Sequence, residues 1–298
     1  MRAVLAVAVL VLALVVSGCG GGSGASKSAR RKAVTQYIER VDSVEQQLRY
    51  PLLQIEKTYK SFSTSSSGLK RSVPKLAGAE ATLHTLQSRI ALIDAPPDAT
   101  RLRALLLQLT ASETRLAHEL TLLAAFLPAY VTALRPLGPA DARLKTALAA
   151  ITVPKPKPVK QSKLKAARAA YTRAVDAAAA AQAAALRGYL TSIAGVQVRL
   201  RGLRPPPALA PMYRTQLLTL ARVRTTGAAL VAALDAKQLK QVAALDASFR
   251  AAAASSSTLA AQRAQIAAVK AFNARVAEIG TLAGKVDAER ARIQKNLG

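Results

Sequence analysis

The chain has few of the residues that most often carry out chemistry or lock a fold covalently. Its 298 residues include one cysteine, two histidines, no tryptophan and only 4% aromatic side chains. With one cysteine the chain cannot form an internal disulfide, so its packed core must stabilise the fold unaided. Hydrophobic residues make up 51%, mainly alanine and leucine. This composition favours packed helices over a sheet, which would need more β-branched and aromatic side chains.

The motifs of several common enzyme classes are also missing. The sequence contains no glycine-rich phosphate loop, no G-x-S-x-G and no H-E-x-x-H. The two histidines, His84 and His118, flank one predicted hairpin but lie about nine residues out of register, roughly 13 Å along the axis. We expect both on the surface, and we expect no metal, no cofactor and no catalytic residues. Acidic residues are scattered, and Glu113 and Glu119 do not share a helix face.

Apolar residues recur with helical spacing through most of the chain. Each series of apolar residues forms a seam along one face of a predicted helix. A single polar residue interrupts the first seam, at Glu45, and another interrupts the third, at Glu113. We expect kinks at Pro51 and Pro128, which fall inside seams that keep their phase. The predicted helices run from Val34 to Phe62, from Leu76 to Ile93, from Leu102 to Leu134 and from about Pro139 to Ile151, with others after residue 163.

The order of these helices predicts an all-α fold, an elongated antiparallel bundle of coiled-coil-like hairpins in two diverged repeats. "YIERVD" from Tyr37 returns as "YTRAVD" from Tyr171, and "DAPPDATRLRALLLQL" from Asp94 returns loosely as "RPPPALAPMYRTQLLTL" from Arg204. Alternatively, two helical hairpins rich in alanine and leucine look alike by composition alone. We expect repeats at 31–152 and 163–298, joined by a Pro/Lys linker at 153–162. The second would end in a long helical segment, Ala236 to Leu297, bent near residues 251–261.

The N-terminus has the layout of an export signal. Met1 and Arg2 precede an apolar run, Ala3 to Val16, which is too short for a bilayer span. Val16-Ser17-Gly18-Cys19 resembles the lipobox of bacterial lipoprotein precursors. The resemblance implies cleavage between Gly18 and Cys19, removal of residues 1–18 and lipidation of Cys19. Residues 19–30 would then be the lipidated cysteine and a flexible spacer. An ordinary secreted protein or an uncleaved anchor is the alternative.

Charge is the strongest functional clue in the body of the chain. Lysine and arginine number 43 against 16 acidic residues, a net charge of +27. Between Asp176 and Asp235 the only charged residues are arginines. Arginine suits phosphate and carboxylate groups, so the tip of this hairpin is a candidate polyanion contact. Its candidate residues are Arg199, Arg201, Arg204 and Arg214. The alternative is a compositional excess of arginine on solvated helix faces.

These features favour a non-enzymatic protein, lipid-anchored on the extracytoplasmic face of the cell membrane, that acts as a helical binding or scaffold module. Its expected partners are the membrane, anionic lipid headgroups or cell-wall polymers, and an acidic protein; a homo-oligomer is possible. We expect no nucleic acid, because no aromatic platform accompanies the arginines. The alternatives are a ligand-carrying lipoprotein serving a membrane transporter and an envelope-remodelling enzyme.

Overall fold

A computed structural model describes residues 24–62, 66–152, 160–255 and 260–297. Within these ranges the chain is helical and has no β-strand, which confirms the predicted all-α fold. The predicted signal, Cys19 and most of the Pro/Lys linker lie outside the described residues. The described helices are α1 Gly24–Glu45, α2 Arg49–Phe62, α3 Ser66–Leu92, α4 Thr100–Leu134, α5 Leu137–Ala150, α6 Leu164–Arg201, α7 Ala210–Asp235, α8 Leu239–Ser255 and α9 Ala260–Leu297.

Two antiparallel hairpins, α3–α4 and α6–α7, form the centre of the bundle. Each reverses direction at a proline-led 3-10 turn, Pro97–Ala99 or Pro207–Leu209. The turns have nearly the same geometry, since Pro96 and Pro206 have ψ angles of 157° and 153°. In each turn the proline carbonyl accepts a hydrogen bond from the amide three residues on, at 2.8 and 2.9 Å. Proline has no amide hydrogen and restricts its predecessor, so it ends one helix and starts the next.

The two hairpins share a burial pattern as well as a turn. Residues 110 positions apart, such as Ile90 and Leu200 or Leu120 and Leu230, are buried in both copies. The earlier tyrosine motif does not share its environment, because Tyr37 is buried whereas Tyr171 is 39% exposed. The hairpins, and not the helix starts, are therefore the parts that resemble each other.

The end of the chain is two helices with different neighbours. α8 packs on α7, whereas α9 packs antiparallel to α4 in the first half of the chain. The predicted bend coincides with the change of helix between Ser255 and Ala260. Within this segment Leu239 and Ile266 do not contribute to the core, since they are 51% and 61% exposed.

The buried residues form two cores. The larger core joins both hairpins, and an aromatic cluster of Phe126, Tyr130 and Tyr213 lies between α4 and α7. The smaller core unites α1, the end of α3, the start of α4 and the end of α9. α9 therefore closes the first hairpin, although more than a hundred residues separate it from that hairpin in the sequence.

At the two prolines where we expected kinks, the helix is interrupted just before Pro51 and is continuous through Pro128. A 3-10 turn, Gln46–Leu48, separates α1 from α2, and Pro51 falls in the first turn of α2, where proline is tolerated. α4 continues through Pro128 to Leu134. The described part of the predicted spacer is helical, because α1 begins at Gly24.

Two helical stretches, Pro97–Ala150 and Pro207–Asp235, are long and apolar enough to cross a membrane by length and composition alone. About half of the first apolar window and 39% of the second are buried inside the bundle. Packing in the core explains much of this apolar character, so the two stretches are weak indicators of a membrane span.

Candidate functional site

The proline turn of the second hairpin is docked against the first half of the chain. Pro206 and Leu209 are buried, and Pro206, Pro207 and Ala208 line a groove with α4 and with Phe272 of α9. The groove has a cavity volume of about 40 Å³. That is room for about three water molecules, whereas pockets for organic ligands usually span roughly 300–1,000 Å³. Packing of the turn against α4 and α9 holds it in place, and the groove between them has no space for a small-molecule ligand.

The four predicted arginines surround this docked turn and remain in solvent. Arg199, Arg201, Arg204 and Arg214 are all exposed. Within the described ranges none of them has an ion pair or a side-chain hydrogen bond. By contrast, Arg187 pairs with Asp235 and Arg224 donates to the Gln197 side chain. The four guanidinium groups are therefore free to bind an external anion. We call these four residues the basic tip.

Three residues that the sequence did not single out lie beside the basic tip. Arg222 is exposed, and the apolar side chains of Leu218 and Val198 are 71% and 69% exposed. Arg214, Leu218 and Arg222 are four residues apart, so they form one stripe along the outer face of α7. The helical spacing of the core residues of α7 could have revealed this stripe, because it places position 218 on the side of the helix opposite the core.

The histidines do not form a site. Both are exposed. His118 Nδ1 lies 2.9 Å from Glu80 Oε1. Glu80 is therefore the residue opposite His118 in the hairpin, and it precedes His84 by one helical turn. Among the described residues no three His, Cys, Asp or Glu side chains are grouped as metal ligands.

A polar cluster joins α1, α4 and α9, and sequence reasoning missed it. We call it the buried cluster after its buried members, Tyr37 and Glu113; Asp42, Glu45 and Arg290 are half-buried. Arg290 of α9 lies between two carboxylates of α1, with Nη1 3.1 Å from Asp42 Oδ1 and Nη2 2.6 Å from Glu45 Oε2. Burial raises the pKa of Glu45, and the charge of Arg290 partly opposes this rise. These ion pairs attach the end of α9 to α1.

Glu113 of α4 completes this cluster without a cation of its own. It is 6% exposed, and its Oε2 has no hydrogen-bond partner among the described residues. Burial raises its pKa to about 8, and the nearby charge of Glu45 adds to the rise. The carboxyl is therefore mainly protonated at neutral pH. A buried acid is costly to ionise because the surroundings cannot replace its hydration.

Tyr37 also belongs to this cluster. Burial raises its pKa to about 12, while Arg103 acts in the opposite direction. The visible sequence signal for the cluster was the pair of polar interruptions, Glu45 and Glu113, in two otherwise apolar seams. Spacing along one helix could not show that these interruptions meet. The ion pairs within the cluster fasten helices together, which gives it a structural role.

Comparison with protein-family models, curated proteins and solved structures found no match to this chain.

Proposed function

We propose that this protein is a non-enzymatic, lipid-anchored scaffold of the cell envelope that binds polyanions through the basic tip. The single observation that carries the proposal is the exposure of four arginines with no ion pair in the described part of the chain. Four unpaired positive charges so close in sequence repel one another. A phosphate- or carboxylate-rich partner relieves that repulsion and accepts the forked hydrogen bonds of guanidinium.

The fixed backbone of the turn that carries the basic tip supports a binding role. The turn that carries Arg204 is held by buried Pro206 and Leu209 and by the groove between α4 and α9. The Tyr213 hydroxyl donates a hydrogen bond to the carbonyl oxygen of Leu200 across the same turn, and the carbonyl oxygen of Leu203 lies 3.4 Å from that hydroxyl. A binding group on a rigid support loses less conformational entropy when a partner arrives. The arginine side chains move, but the backbone beneath them is already fixed.

The anchoring part of the proposal is supported by the sequence Val16-Ser17-Gly18-Cys19, which resembles a lipobox. The test is incorporation of labelled palmitate into the full chain expressed in bacteria, with Cys19→Ser as the matched variant. We expect label in the parent chain and none in the variant. Unlabelled parent chain, recovered from the medium, would refute lipid anchoring and leave the basic tip to be tested separately.

The polyanion part is tested by binding to two probes, inorganic polyphosphate and vesicles that contain phosphatidylglycerol. The test variant replaces the four arginines of the basic tip by glutamine, and every chain in this test also carries Cys19→Ser, so that no lipid on that residue holds the chain to the vesicle. A control variant removes the same charge from exposed positions on other helices. Its substitutions are Arg40→Gln, Arg49→Gln, Lys57→Gln and Arg143→Gln.

We expect the test variant to bind anionic vesicles about 1,000-fold more weakly at low salt, since each basic residue contributes roughly 1 kcal/mol at such a surface. The control variant should lose much less, because its charges lie on α1, α2 and α5 and not on the second hairpin. Added salt should reduce the difference between the two. If both variants bind each probe equally well, the basic tip is not the binding site.

A further inference from the structure

The outer face of α7 combines exposed positive charge with an exposed apolar side chain. Arg214 and Arg222 lie one helical turn before and after Leu218, which is 71% exposed. Across the hairpin, Val198 of α6 is 69% exposed and lies three residues before Arg201. Neither arginine of the α7 stripe has an ion pair among the described residues.

This face also lacks the negative charges that normally balance a solvated helix. α7 contains no carboxylate before Asp235, its last residue, and α6 contains none after Asp176. Asp235 is itself paired with Arg187. Repulsion along the stripe is therefore not relieved within the described chain, and an external anionic surface is its electrostatic complement.

The two apolar side chains distinguish a membrane from a soluble polymer. A hydrated polyphosphate or wall polymer gains nothing from a leucine that extends into solvent between two arginines. A bilayer interface accepts both groups, because guanidinium pairs with lipid phosphate while the apolar side chain enters the boundary with the acyl chains. Leucine and valine at these positions therefore add a contribution that only lipid can supply.

Resting on the proposed function, we infer that the α6–α7 hairpin docks on an anionic phospholipid bilayer, with Arg201, Arg214 and Arg222 at the phosphates and Leu218 and Val198 inserted. The bilayer is the occupant of this face, and the lipid on Cys19 would hold the hairpin close to it. The α6–α7 hairpin would thus hold the bundle against the membrane surface as a second attachment point.

Direct contact can be measured with a polarity-sensitive dye, because the chain has a single cysteine. The full chain with Cys19→Ser and Leu218→Cys carries the dye nitrobenzoxadiazole at position 218 only. A matched chain carries it at Leu92→Cys, which is 83% exposed at the end of α3. Both chains keep the same apolar N-terminus, so any difference between them reports the local surface.

We expect a blue shift and protection from iodide quenching at position 218 with vesicles of phosphatidylcholine and phosphatidylglycerol. Neither effect should occur at position 92, nor at position 218 with inorganic polyphosphate. A dye at position 218 that stays solvent-exposed while the protein sediments with the anionic vesicles would overturn the inference.

A second variant measures the apolar contribution without any label. Leu218→Ser should weaken binding to anionic vesicles about tenfold, given what burial of one leucine side chain contributes. It should leave polyphosphate binding unchanged, and Leu92→Ser should change neither. If Leu218→Ser leaves vesicle binding unchanged while the arginine variant weakens it, membrane insertion is refuted and polyanion binding survives. If the arginine variant also binds normally, the proposed function itself fails.

Discussion

Substitution of Glu113 by glutamine tests the buried cluster most sharply. In the fold, burial raises the pKa of this carboxyl to about 8 from an ordinary value of 4.5. Between these two values the folded chain keeps a proton that the unfolded chain has released. The stabilising effect is therefore complete below pH 4.5 and is lost as the pH rises towards 8.

The size of the effect follows from the difference between the two pKa values. At about 1.4 kcal/mol per pH unit, the free energy of unfolding should fall by about 5 kcal/mol between pH 4.5 and pH 8 because of Glu113 alone. About 3 kcal/mol of that loss should already be present at pH 7. Glutamine has nearly the same shape and does not titrate, so Glu113→Gln should remove this part of the fall.

The measurement is urea unfolding of both chains, followed by circular dichroism at a series of pH values across this window. Glu45 also has a raised pKa and interacts with Glu113 through its charge, so the difference between the two sets of free energies reports Glu113 together with its coupling to Glu45. Glu39→Gln, which removes an exposed carboxyl of α1, is the matched control and should follow the parent curve. If the free energy of unfolding changes with pH in the same way for Glu113→Gln and for the parent chain, the assignment of a buried, protonated carboxyl is refuted.

Gly227→Ala and Arg290→Met, each with a companion variant, test the packing of α7 and α9. Gly227→Ala should destabilise the fold by about 1 kcal/mol, because the new methyl group would lie 2.6 Å from Leu190 Cδ2 and 3.2 Å from the Phe249 ring, while the higher helix propensity of alanine offsets part of the strain. Gly195→Ala, with open space around it, should instead stabilise by about 0.5–1 kcal/mol; equal thermal stability of the two variants would contradict this packing. Arg290→Met should cost about 3 kcal/mol, because it leaves partly buried Glu45 without its cation. The double variant with Glu45→Leu should recover part of that loss in urea unfolding, and no recovery would show that the pair does not act as a unit.

Local sequence patterns were sufficient for most helices and for the two proline turns, but they did not show that α1 extends into the predicted spacer or that a 3-10 turn separates α1 from α2. Helical apolar spacing predicted a helix from Leu102 to Leu134, and leucines on this spacing, such as Leu106, Leu120 and Leu127, are buried in α4. The proline turns were equally visible, since proline lacks the amide hydrogen that a continuing helix needs. These features depend on residues within one or two helical turns, so the sequence displays them directly.

The sequence did not show which helices pack against each other. The pattern of α9 shows an apolar face but does not say which helix covers it, and α4 proved to be its neighbour. The same limit hid the buried cluster: Glu45 and Glu113 each appeared as an isolated polar gap in a seam. Many helices can cover an apolar stripe, and only the packing of the whole chain selects one.

The sequence by itself determined that this chain is built of helices, where its two central hairpins turn, and that the arginines of the second hairpin lack acidic neighbours along the chain. Tertiary structure alone decided that α9 returns to close the first hairpin and that the proline turn carrying the basic tip docks between α4 and α9. It also brought a protonated glutamate beside an ion-paired one. The physical reason is range: helix formation and charge content are set by neighbours in sequence, whereas burial and pairing depend on groups that meet only when distant helices pack.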